Sequence, residues 1–89
     1  MSYCKFGLNY QMGGTVVQVS MVGSASDVFL VDSLNLSNFE RGSSFTYYGG
    51  HYTQSPAILQ VPAPGNWIVV VAPPAGGSVR AGVTVRLAQ

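Results

Sequence analysis

The sequence predicts an all-β protein, a small antiparallel β-sandwich of about 7–8 short strands with one short helical turn near residues 33–41. Three observations carry that prediction. Apolar residues recur with a period of two, not the 3.6 of a helix. Thirteen valines stand against a single glutamate and a single lysine, and side chains branched at Cβ pack better on a pleated surface than along a helix. Turn signals rich in Gly and Pro separate the apolar runs at short intervals.

The elements follow in chain order. In YCKFGLNY, Cys4, Phe6, Leu8 and Tyr10 alternate with Lys5, Gly7 and Asn9, which places a half-buried strand with Tyr10 on its core face. In TVVQVSM the inward set is Val17, Val19 and Met21. VFLV at 28–31 and WIVVV at 67–71 are apolar on both faces, so each is either a central strand covered twice or a strand whose outer face meets a partner. DSLNLSNFERG, residues 32–42, interrupts the pattern: Ser37-Asn38-Phe39-Glu40 matches a capping box. Gly42 follows closely, so a single helical turn or an ordered crossover loop is expected, with Leu36 or Phe39 plugging one end of the core. Strands at 45–48 and 51–55 flank Gly49-Gly50, which reads as a hairpin turn, as do the glycine pairs at 13–14 and 76–77. SVRAGVTVRL then alternates strictly, with Val79, Ala81, Val83, Val85 and Leu87 inward against Arg80, Gly82, Thr84 and Arg86.

A chain of 89 residues is read as one domain, residues 1–89, with room for one core, burying a little over ~60% of its unfolded surface. Charged residues make up 8%, against about 25% in an average soluble domain. A net charge of +1 with no basic run lacks the footprint that holds a phosphate backbone, so nucleic acid is not an expected partner. So weakly charged a surface resists contact between copies poorly, which keeps a homo-oligomer in view. Cys4 is the only cysteine, which excludes an internal disulfide and a thiolate metal site. No apolar run approaches the about 20 residues of a spanning helix, and no secretion signal is recognisable. The expectation is a cytoplasmic protein without a membrane partner.

Catalytic chemistry has little to work with. His51 is the single histidine, and Asp27, Asp32 and Glu40 are the only carboxylates. No Gly-x-Ser-x-Gly elbow presents a nucleophile, and the glycine pairs lack the Lys-Ser/Thr of a phosphate loop. The expectation is therefore no enzyme, no cofactor and no metal site; a hydrolase centred on His51 requires a carboxylate or serine within hydrogen-bond reach of that ring. Asn35-Leu36-Ser37 fits a glycosylation sequon without a secretion signal beside it. What stands out is YYGGHY, residues 47–52. Tyr47, Tyr48, His51 and Tyr52, with Arg41 adding a cation, are the candidate ligand-binding residues, because such rings offer apolar area with a polar tip. Strand alternation lets only about half of them face outward. The competing reading is that two rings fill the core and the others brace their cross-strand neighbours.

Asp32-Ser33, Asn38, Arg41-Gly42, Tyr47-Tyr48-Gly49-Gly50, Ser55-Pro56, Val61-Pro62, Gly65 with Trp67, and Ser78-Val79-Arg80-Ala81, taken in order, resemble a small bacterial all-β family known as a domain of unknown function. Its members occur alone and fused to TIR domains in predicted defence proteins. The resemblance implies a compact antiparallel sandwich, and by analogy a module that senses a ligand or mediates assembly for a separate effector. Where members usually carry histidine before the tryptophan and an acidic residue after the valine run, this chain has Asn66 and Ala72.

The leading reading is a non-enzymatic binding module that takes a small ligand or a protein partner through the Arg41–Tyr52 surface. The alternative is a self-associating structural protein, with Phe29, Val31 or the outer face of 67–71 inside an interface well over about 1,000 Å². Trp67 is read as core under either. Trp67→Ala is expected to lower stability by ~3–5 kcal/mol in denaturant unfolding; a variant melting within a few degrees of wild type would place Trp67 on the surface.

Overall fold

The computed structural model describes residues 3–86. The strands are β1 (Cys4–Gln11), β2 (Val16–Gly23), β3 (Ser26–Val31), β4 (Tyr48–Tyr52), β5 (Ala57–Gln60), β6 (Gly65–Ala72) and β7 (Val79–Arg86), with a helix α1 (Ser33–Glu40) between β3 and β4. They form a four-stranded sheet in the order β1-β6-β3-β4 and a three-stranded sheet in the order β5-β2-β7, and all strand pairs are antiparallel. Every connection except β3 to β4 switches sheets. None of the three glycine pairs therefore closes a two-strand hairpin: residues 13–14 and 76–77 lie in loops that cross between the sheets, and Gly49-Gly50 lies inside β4.

The core lies between the sheets. Val17 and Val19 of β2 and Ala57 and Leu59 of β5 face Val28 and Leu30 of β3 and Trp67, Val69 and Val71 of β6. Met21, Val79, Ala81 and Val83 pack against this cluster as the period-two pattern predicts. Val85 is exposed, and Leu87 lies outside the described residues. Trp67 is buried and donates its indole Nε1–H to the Ala63 carbonyl at 2.9 Å. Its polar atom is thus satisfied where the ring is enclosed.

In β1 the predicted alternation fails after Leu8. Opposite β6, Gly7 pairs with Ile68 and Asn9 with Trp67, so the register slips by one residue, and Asn9 takes φ 62°. Such a bulge shifts the following side chains to the opposite face. Tyr10 is 58% exposed and Gln11 turns inward, its side-chain amide donating to the Leu8 carbonyl at 2.7 Å. Asparagine tolerates the left-handed conformation better than a branched residue would.

β3 and β6 are central strands covered on both faces. Phe29, Val31 and Val70 form a second buried cluster on the outer side of the four-stranded sheet, beneath Leu36 and Phe39 of α1, with Phe45, Ile68, Ala72 and Tyr3 around them. Leu36 and Phe39 thus cover a sheet face; they do not plug an end of the sandwich. The helix is also longer than one turn, because its cap is Asp32, whose carboxylate accepts the Asn35 N–H at 2.8 Å. Ser37 is an interior helical residue, and Glu40 accepts hydrogen bonds from the Tyr3 hydroxyl and from Lys5 Nζ, the latter at 3.2 Å. That contact ties the end of α1 to the start of β1.

Two predictions follow from these contacts. A Cβ at Gly49 would lie 2.1 Å from the Val28 carbonyl oxygen and 2.6 Å from Phe29 Cα, whereas one at Gly50 meets nothing within 4 Å. Gly49→Ala is expected to cost about 3 kcal/mol by forcing β4 off β3, and Gly50→Ala about 1 kcal/mol or less; denaturant unfolding of both variants compares them. The hydrogen bond from Tyr3, then that from Lys5, holds the Glu40 carboxyl below the ordinary glutamate range, and the same bond raises the Tyr3 hydroxyl. A lowered folded value means that the contribution is present above the unfolded value and fades as pH falls through the folded one. The difference in melting temperature between wild type and Glu40→Gln is therefore expected to be small, since the contact is exposed and screened, and to vanish in acid.

Candidate functional site

A concavity lies on the outer face of the four-stranded sheet, where α1 stops short of covering it. This open groove of about 960 Å³ runs between an aromatic wall of Phe29, Phe39, Phe45 and Tyr47 and the loop Pro73–Gly77, and Asp27, Gly50 and His51 border it. Each part is placed by a local rule. Asp27 is directly opposite His51 in the β3–β4 register, a pairing that brings cross-strand side chains within reach. Their side chains meet, His51 Nδ1 lying 2.9 Å from Asp27 Oδ1, and both are more than half exposed.

The aromatic wall is built around Phe29. Its ring centroid lies 5.4 Å from that of Phe39, 5.7 Å from Phe45 and 5.5 Å from Tyr47. Phe45 also packs on Phe39 at 5.3 Å in an edge-to-face contact, one of the arrangements that aromatic quadrupoles favour. Asn35 holds the approach of this loop: its side-chain oxygen accepts the Thr46 N–H at 2.8 Å while its NH₂ donates to Asp32 at 2.9 Å. Both polar groups of the Asn35 side chain are thus engaged within the fold. Tyr47 stays 50% exposed.

Of the five residues proposed from the sequence, the groove brings together Tyr47 and His51. Tyr48 faces the other side of the sheet, edge-on to Trp67 with centroids 5.8 Å apart, and keeps 44% of its surface exposed. Tyr52 packs against the main core. Both follow from the glycine pair lying within β4: residues 48 and 52 share one face and residue 51 takes the other. Arg41 caps the C-terminus of α1, bonds the Asn38 side chain and borders a separate small recess with Tyr3, Phe39, Glu40 and Gly42.

Sequence reasoning missed Phe29, Phe39, Phe45 and the 73–77 loop as site components. The signal lay in the two-sided apolarity of 28–31, which implied something covering Phe29. Asp27 entered the sequence reading as a carboxylate that a hydrolase would need near His51, and the register supplies that proximity. No serine or cysteine is hydrogen-bonded to the His51 ring among the described residues. No group of three or more His, Cys, Asp or Glu side chains is placed to hold a metal ion among them, and no helix there is long and apolar enough to cross a membrane. Of the residues that the self-associating reading invokes, Phe29, Val31 and Val70 are buried within the chain itself, while Ile68 on the outer face of 67–71 is partly buried.

No curated protein and no solved structure matches this chain. A family match covers residues 1–89, described as Domain of unknown function (DUF1883). Because it runs through every strand and through the helix, the chain belongs to the DUF1883 family.

Proposed function

We propose that this protein is a non-enzymatic binding module whose outer-face groove takes a small ligand with an apolar body and a polar head. The observation that carries this reading is the meeting, in one open groove, of a half-exposed tyrosine and an exposed Asp27–His51 pair. The volume falls in the usual range of small-molecule sites, ~300–1,000 Å³, and the lining has their usual character: mostly apolar, with few polar groups. Phe29 is seated in a buried cluster and the polar pair is fixed by strand register, so much of the site is pre-formed, which lowers the entropic cost of binding. The resemblance to a bacterial family with TIR-fused members fits a module that reads a ligand on behalf of a separate effector.

A hydrolase centred on His51 is the second reading, favoured by the 2.9 Å contact with Asp27. A carboxylate that orients an imidazole is one part of a catalytic triad. The binding reading is preferred because no nucleophile is seated against the ring among the described residues.

A fragment screen followed by ¹H–¹⁵N correlation spectra is expected to give shifts concentrated at Asp27, Tyr47, His51 and residues 75–77. Tyr47→Ala is expected to weaken the best fragment about tenfold, the size of a lost aromatic contact, with the spectrum otherwise unchanged. Shifts clustered on the three-stranded sheet, or none from the whole library, would overturn the reading.

A further inference from the structure

The lining of the groove carries a bias of charge that its shape does not reveal. Among the described residues Asp27 is the only carboxylate along it, and no lysine or arginine borders it. The cations of the described chain lie elsewhere: Lys5 is paired with Glu40, Arg41 borders the separate recess, and Arg80 and Arg86 belong to β7 in the opposite sheet. An anionic ligand would therefore meet a carboxylate and no compensating charge.

Resting on the groove reading above, we propose that this site is selective for an organic cation: an amine or quaternary ammonium on a small apolar body. His51 engages Asp27 through Oδ1, leaving Oδ2 without a side-chain donor among the described residues. The apolar body lies between the aromatic wall and the Pro73-Pro74-Ala75 side of the groove, whose side chains are entirely apolar. The half-exposed Tyr47 ring offers its π-system to a cation held near the carboxylate. Ring faces attract ammonium groups, most strongly where water is partly excluded. Carboxylate and aromatic wall therefore favour the same sign of charge.

The test titrates the full chain with three probes of one shape and different charge, namely benzyltrimethylammonium, benzyl alcohol and benzoate, read by ¹H–¹⁵N correlation spectra. The cation is expected to bind about tenfold more tightly than the alcohol, a typical gain for charge plus cation–π contact, with benzoate weakest. Asp27→Asn keeps the shape at an exposed position. It is expected to erase the preference for the cation, bringing benzyltrimethylammonium and benzyl alcohol to similar affinities, with the unliganded spectrum reporting that the fold is intact. Equal or tighter binding of benzyl alcohol or benzoate at the groove, or a preference that survives Asp27→Asn, overturns the cation assignment and leaves the groove reading standing. No groove response to any of the three also overturns the assignment, and the wider fragment library then decides the groove reading by itself.

Discussion

Covering the second face of the four-stranded sheet is the constraint on which the rest of this structure depends. β3 and β6 are apolar on both sides, so the sandwich core satisfies only half of their surface. Phe29, Val31 and Val70 remain, and leaving them wet would forfeit about 1.5–3 kcal/mol for each large side chain. The chain covers them with its own α1 and with the Phe45–Tyr47 segment. Phe29 is the hub of that cover, in ring contact with Phe39, Phe45 and Tyr47.

Topology decides where such a cover comes from. All other connections cross from one sheet to the other, and only the link from β3 to β4 returns to the same sheet. That link alone begins and ends on the face that must be closed. Its polar residues anchor it there: Asp32 caps α1, Asn35 ties the helix start to Thr46, and Glu40 ties the helix end to Tyr3 and Lys5. Three of the chain's few charged side chains thus hold one lid in place, and a helix of eight residues, too short to be stable by itself, is fixed by what it covers.

The groove is the part of the face that this lid leaves open. Its aromatic wall is the flank of a packed cluster and its polar end is a cross-strand pair between the central β3 and the edge strand β4. Under the proposed binding role, Phe29 and Phe39 serve both the ligand and the fold. Tyr47 lies at the margin, in ring contact with Phe29 yet half exposed, which is why it can be changed at small cost to the fold. Charge is scarce over the chain, so among the described residues a single carboxylate, Asp27, sets the sign of the groove.

Local patterning determined much of the molecule. Period-two alternation located β2 and β7 and the valine-rich core, because side chains on a strand have only two faces to choose between. The double-sided runs at 28–31 and 67–71 marked the central strands for the same reason. Only tertiary structure decided which glycines turn the chain: Gly49 is in a strand because its bare Cα lets the backbone of β4 press against Val28 and Phe29, a contact between segments that no short window contains. The Asn9 bulge likewise depends on β6, and it sends Tyr10 outward. The capping signal at Ser37 was outweighed by Asp32, which starts the helix early enough for Leu36 and Phe39 to reach Phe29. The site shows the same division. The sequence nominated Tyr47 and His51 together with Arg41, Tyr48 and Tyr52 and could not sort them by face, whereas strand register and a sheet-crossing connection, which exist only once distant parts of the chain have packed, put Tyr47 and His51 in one groove with Asp27, Phe29 and the 73–77 loop.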